Sequence, residues 1–167
     1  MPGNRNMSRR KAKSLPDVPE LVFINDIEAS QHEANTVFAS ADAHKLGDYT
    51  SYLFMSANKG KSWQSIKGDL PVNTIVWSIK QDYVDQNLLF LGTEYGIYYS
   101  PNKGKNWLKL AAGVPTIPFR DIELHERDND LVGASFGRGV FILDDYSALR
   151  EVSKSAEAKT NRLFSVR

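Results

Sequence analysis

The stretch SANKGKSW at residues 56–63 is written again as SPNKGKNW at residues 100–107, 44 positions further on. A chain that spells out one turn-and-Trp octapeptide twice at that interval has to build the same supersecondary unit more than once. The match spreads beyond the octapeptide. INDIEASQHEANTVFAS (24–40) falls under VWSIKQDYVDQNLLFLGTEYGIYYS (76–100) at a shift of 52, with Ile27 under Ile79, Asn35 under Asn87 and Phe38 under Phe90. FRDIELHERDNDLVGASFGRGVFIL (119–143) follows at a shift of 43, where Ile122 answers Ile79, Leu131 answers Leu88 and Gly139 answers Gly96. The first shift is longer by an eight-residue insertion in the loop ADAHKLGDYT. Three units are present.

Each unit reads as short strands. In the middle one they fall at about 75–81, 87–93, 96–100 and 107–111, rich in Val, Ile, Tyr, Phe and Trp and separated by turn residues. No segment of 21–143 carries a helical period over eleven or more positions. Four strands every 43 to 44 residues is the period of a β-propeller blade. The expected fold is therefore all-β: about three four-stranded blades of an incomplete ring, with a short helical C-terminal extension. The expected boundaries are a flexible basic tail at 1–20, a partial propeller at 21–152 and a connector at 153–167. The units would run 21–70, 71–115 and 116–152.

The octapeptide then becomes the hairpin between the third and fourth strands. Asn58 and Asn102 supply side-chain oxygens to backbone N–H groups in the turn. Gly60 and Gly104 supply the positive φ of a tight hairpin, and Ser56 and Ser100 bond across its base. Trp63 and Trp107 open the outer strand and lie over the turn. Folding accounts for every residue type, so these eight positions are structural.

Charge is uneven along the chain. Arg5, Arg9, Arg10, Lys11 and Lys13 stand among residues 1–13 with no acid, and the remaining 16 basic residues face 20 acids. A mildly acidic body lacks the basic face of a nucleic-acid-binding domain. With no cysteine there is neither a disulfide framework nor a thiolate site. No apolar run follows the basic start, so no signal peptide is written here, and NLLFLGTEYGIYY is too short and too interrupted to span a bilayer.

The pattern SxNxGxxW resembles the Asp-box, or bacterial neuraminidase repeat, found in sialidases, oligoxyloglucan-type glycoside hydrolases and sortilin-like propellers. The flanks DIEAS, LLFLGTEYGIYYS and FGRGVFILDDYSALR resemble the C-terminal blades of large bacterial sortilin-like, glycosyl-hydrolase-like proteins. The resemblance covers about residues 18–167. It departs from the family pattern at Asn58 and Asn102, where an aspartate is usual, and at Leu143, Asp144 and Asp145, where a third box would begin. It implies an exported parent and partners in the form of further blades, on a larger chain or through self-association.

The search for chemistry is mostly negative. Gly60-Lys61-Ser62 lacks the upstream glycine of a P-loop, since Met55 stands there. His32, His44 and His125 show no zinc-ligand spacing, and ERDND (126–130) lacks the glycine and terminal Glu of an EF-hand loop. No arginine among Arg120, Arg127, Arg138 and Arg150 is placed by a sialidase motif. No catalytic residue, metal site or cofactor is expected. A ligand face is expected where second-to-third-strand loops and inter-blade links share one end of the propeller. It would carry Asp42, His44, Lys45, Asp48 and Tyr49 from the inserted loop, Glu94 and Tyr95 from the middle unit, and Arg138 from the third. The favoured reading is a non-catalytic binding or scaffold module contacting protein, peptide or glycan. The alternative is a lobe of an oligoxyloglucan-type glycoside hydrolase, whose paired carboxylates would be split between this chain and other blades.

Overall fold

Leu88, Leu89, Phe90 and Leu91 form an unbroken apolar run, and a strand of that kind must be covered on both faces. The computed structural model, which describes residues 15–111 and 113–154, covers it with a sheet on either side. The first sheet is a meander of β1 (Phe23–Ala29), β2 (Val37–Ala43), β3 (Asp48–Ser56) and β4 (Gln64–Ser65). The second repeats it with β5 (Val76–Gln81), β6 (Leu89–Thr93), β7 (Gly96–Ser100) and β8 (Leu108–Lys109). The third has β9 (Phe119–His125), β10 (Asp130–Ser135) and β11 (Val140–Leu143). Leu89 and Leu91 pack with Phe38, Leu53, Val76 and Ile79 between the first two sheets. Leu88 and Phe90 pack with Ile97, Phe119, Ile122 and Leu131 between the second and third. Each such side chain contributes roughly 1.5–3 kcal/mol on burial, so the two inter-sheet layers hold the fold.

The first strands of the sheets lie side by side, β1 against β5 and β5 against β9. Polar ties recur along them at repeat-equivalent positions. The Asp26 carboxylate accepts the Ile79 N–H at 2.9 Å, and one blade on the Ser78 hydroxyl oxygen accepts the Ile122 N–H at 3.1 Å. Lower down, Lys80 Nζ lies 3.5 Å from Glu28 Oε2 and 3.1 Å from Glu123 Oε2. Three antiparallel sheets stacked about their first strands are part of a β-propeller.

Both octapeptides are the expected hairpins and share one hydrogen-bond cage. Ser56 Oγ accepts the Gly60 N–H at 2.8 Å, while Asn58 Oδ1 accepts the Ser62 N–H at 2.8 Å and the Ser56 hydroxyl at 3.0 Å. In the second copy Ser100 Oγ accepts from Gly104 at 2.8 Å, and Asn102 Oδ1 from Asn106 N–H at 2.9 Å and from Ser100 at 3.1 Å. Lys59 and Lys103, both at φ 59, sit beside Gly60 and Gly104 in the left-handed region. Their N–H groups donate to Asn35 and Asn87 carbonyls at 2.8 Å, fixing each hairpin to the first-to-second-strand loop of its own blade.

Two expectations need correction. Among the described residues the third unit has three strands, not four. After β11 the chain turns at Asp145, whose carboxylate accepts the Ser147 N–H, and enters a short helix α1 (Leu149–Lys154). The helix returns Arg150 to Asp82, with Nε at 2.9 Å from Oδ2 and Nη2 at 2.8 Å from Oδ1, while the Tyr146 hydroxyl donates to Oδ1 at 2.8 Å. This clasp ties the end of the third blade to the second. The other correction concerns the start of the packed chain. Leu15 and Val18, placed in the tail by the sequence reading, pack with Ala41, Tyr52 and Phe54 on the first sheet. Residues 1–14 and 155–167, the rest of the expected tail and connector, lie outside the described residues. Among the described residues no helix is long and apolar enough to cross a membrane.

Candidate functional site

Each first strand carries one extra residue near its start. In β1 the pairing jumps from Ile24 to Asp26, in β5 from Val76 to Ser78, and in β9 from Phe119 to Asp121. The bulged residues are Asn25, Trp77 and Arg120, in one column of the repeat. A bulge re-aims the side chain it inserts, and here it turns three of them into a row across the blades. Asn25 Nδ2 donates to the Val76 carbonyl at 2.8 Å. The Arg120 guanidinium carbon lies 3.5 Å from the Trp77 ring centre and 5.4 Å from that of Phe136.

The loops of the same end close around Trp77. Asp42, buried at the end of β2, accepts the His44 backbone N–H at 3.2 Å and contacts His44 Nδ1 through the same oxygen. Held this way, the His44 ring meets Trp77 edge-on, with centres 5.7 Å apart. The insertion makes this possible: His44–Leu46 form a single 3-10 turn closed by Gly47 at φ 79. From the second blade, Glu94 Oε2 accepts the Trp77 indole N–H at 2.9 Å. Trp77 is 8% exposed, enclosed by one polar or charged side chain from each of three blades.

The expected ligand-face residues divide accordingly. Asp42, His44 and Glu94 enter the Trp77 cluster. Tyr95, beside Glu94, is exposed on the β6–β7 turn, where its N–H donates to Thr93 Oγ1 at 3.1 Å. Arg138 is exposed on the β10–β11 turn. Lys45 places its ammonium 4.6 Å from the Phe23 ring centre, and Tyr49, near the start of β3, is exposed. Asp48 is engaged within β3, accepting Thr50 N–H at 2.9 Å and the Tyr52 hydroxyl at 2.7 Å, and these bonds hold its carboxyl below the usual range. Trp77, Arg120 and Phe136 were not singled out from the sequence. The signal for the first two was their shared column with Asn25, since three dissimilar residues there cannot all be core.

At the opposite end, the exposed His32 places Nε2 2.7 Å from the Asp82 carbonyl, a bond across blades. His125, Asp128 and Asp130 bring three ligand atoms within 4.8 Å of one another. Two of these are already occupied, Asp128 by Arg127 at 2.8 Å and Asp130 by the Asp145 N–H at 3.1 Å.

No family model matches this chain, and no curated protein does. Solved structures do match. An ancestral GH74 enzyme aligns with 24% identity and a TM-score of 0.57 over 70% of this chain. The GH74 xyloglucanase from Xanthomonas campestris aligns with 15% identity and a TM-score of 0.54 over 76%. The Niastella koreensis GH74 enzyme aligns with 12% identity and a TM-score of 0.55 over 72%. The fold is propeller blades. The chain spans 14%, 22% and 20% of those three structures respectively.

Proposed function

We propose that this chain supplies a glycan-contacting face of a β-propeller of the GH74-like type, its ligand a neutral β-glucan of the xyloglucan class. The observation that carries the reading is the Trp77 row, in which His44, Glu94 and Arg120 gather around one indole from three blades and Phe136 lies against Arg120. Sugar rings bind through stacking of their C–H faces on aromatic rings and hydrogen bonds to fixed polar groups, and both kinds of group stand at this end. The likeness to a xyloglucanase supports the substrate class. The two octapeptide hairpins are read as Asp-boxes with Asn in place of Asp. Their shared cage supports that assignment and gives them a structural role at the end away from the ligand.

In this reading the chain binds, and bond cleavage belongs to the assembled propeller. Asp42 and Glu94 are the carboxylates it brings, each already bonded to a neighbour in the cluster, His44 and Trp77. The test is titration with xyloglucan oligosaccharides, followed by intrinsic tryptophan fluorescence and calorimetry. Saturable binding lost at least tenfold in Arg120→Ala and Phe136→Ala supports the reading. Binding absent from the wild type, or unaffected by both variants, overturns it. Hydrolysis by the chain itself, abolished in Glu94→Gln, would show that it also carries the catalytic pair.

A further inference from the structure

The flank of the first blade carries a groove of about 240 Å³ lined by Ile24, Ile27, Val37, Ala39, Gly60 and Trp63, among others. One repeat on, the residues at those positions are Val76, Ile79, Leu89, Leu91, Gly104 and Trp107. There the space is filled by the preceding blade: Phe38, Leu53 and Ile66 pack against them, and Ile66 comes so close that a Cβ on Gly104 would lie 2.8 Å from its own. The consequence of an empty groove is visible in the exposures. Ile79 is 0% exposed and its counterpart Ile27 58%.

The third blade carries the matching surface, with nothing on it among the described residues. Register identifies it. Phe38 pairs with Met55 and Ser40 with Leu53, and in the third sheet Val132 pairs with Ile142 and Ala134 with Val140. Val140 and Ile142 thus stand where Leu53 and Met55 fill the first interface, yet they are 63% and 62% exposed. Two polar features repeat as well. Asp26 and Ser78 each accept a backbone N–H from the next blade, at Ile79 and Ile122; Asp121 is the third residue of that column, and Ile27 the matching donor position. Lys103 donates to Glu33 of the preceding blade at 3.0 Å; the counterpart of Lys103 is Lys59, in the groove, and that of Glu33 is Asp128 on the third blade.

We propose that a second copy of this chain fills the groove, packed head to tail. Val140 and Ile142 of one copy rest on Ile24 and Ile27 of the next, Asp121 accepts the Ile27 N–H and Asp128 pairs with Lys59. The interface is heterologous, so it closes only as a ring. Two copies make six blades, within the four to eight of known propellers. Closure forms both interfaces at once, which makes the second contact intramolecular and the dimer cooperative.

The test is solution mass by light scattering on a sizing column, a readout independent of glycan binding. The wild type is expected at twice the 18.8 kDa chain mass. Ile27→Glu spoils only the groove and Val140→Glu only the opposite flank; both sites are exposed, so each variant should keep its circular dichroism spectrum. Each alone is expected to be a monomer. Their equimolar mixture retains one intact interface and is expected to form a one-to-one dimer, at least tenfold weaker than the wild type. A wild type that stays monomeric at all accessible concentrations overturns the proposal and leaves the flanks to blades of a longer polypeptide. A dimer that survives in either variant alone also overturns it, because the contact would then be symmetric or elsewhere.

Discussion

Arg120 lies over Trp77, its guanidinium carbon 3.5 Å from the ring centre, and the two residues belong to different blades. Each is the bulged residue of its first strand, so two local irregularities in separate sheets converge on one contact. That contact seals an indole whose N–H is already given to Glu94.

Removing the guanidinium therefore has a defined effect. Arg120→Ala is expected to lower stability by about 0.5–2 kcal/mol, the range for a cation over an aromatic face. It should also red-shift tryptophan emission as water reaches Trp77. Arg120→Lys keeps the charge but loses the planar stack, and should fall between the two. Urea unfolding of the three proteins, followed by fluorescence, checks the order.

The two octapeptide glycines separate backbone strain from crowding. Both have positive φ, 79 at Gly60 and 85 at Gly104, so alanine is strained at either. At Gly60 the new methyl meets only the Trp63 ring at 3.4 Å, whereas at Gly104 it would lie 2.8 Å from Ile66 Cβ and 2.9 Å from the Ile66 carbonyl oxygen. Gly60→Ala is expected to cost about 1 kcal/mol and Gly104→Ala about 3 kcal/mol. Equal losses in thermal or urea unfolding would mean that the second octapeptide hairpin does not seat against the preceding blade.

The octapeptide hairpins were legible in the sequence because the side-chain bonds that close each turn lie within eight residues. Ser, Asn and Gly serve bonds spanning two to four positions, so their roles are written locally. The Trp77 row was not legible in the same way. A bulge is a property of pairing between strands, and nothing adjacent to Trp77 announces that β5 slips there; only the column Asn25, Trp77, Arg120 carries the trace. The sequence put the inserted loop on the expected ligand face, but which of its acids turns inward depended on contacts distant in sequence. Asp42 bonds to a histidine that leans on Trp77, while Asp48 is retained by Tyr52. The third unit's lack of an octapeptide at Leu143-Asp144-Asp145 was visible, and the structure has there a turn and helix carrying the Arg150 clasp.

That clasp should set the acid limit of the fold. Burial pushes the Asp82 carboxyl up, but Arg150, the Asp85 N–H and Tyr146 together outweigh it and hold the group below its ordinary value. A carboxyl with a depressed folded pKa contributes stability that is complete above its unfolded value, about 3.9, and is lost as pH falls through the folded value. Asp82→Asn keeps the shape but removes the carboxylate paired with Arg150, and is expected to cost about 3 kcal/mol near neutral pH. Its melting temperature should fall less steeply than that of the wild type between about pH 5 and pH 2. Parallel pH profiles would place the acid sensitivity elsewhere.

The row Glu28–Lys80–Glu123 should respond to pH with the opposite sign. Burial raises the Glu28 carboxyl, Asp26 and Glu123 add to the rise, and Lys80 opposes it without cancelling it. A group raised in the folded state contributes stability below its unfolded pKa, about 4.3 for Glu, and loses it as pH rises through the folded value. Lys80→Met removes the one ammonium within 4 Å of both carboxylates, at 3.5 and 3.1 Å, so it leaves three neighbouring acids across the blades unbalanced. The destabilisation should be about 1–2 kcal/mol near pH 7 and shrink toward pH 4, where protonating Glu28 relieves the repulsion. Wild type and variant compared by urea unfolding at both pH values give the answer. A deficit that stays constant with pH would mean that Lys80 acts through its packed methylene stem, and that the carboxylates of adjacent blades do not sense one another.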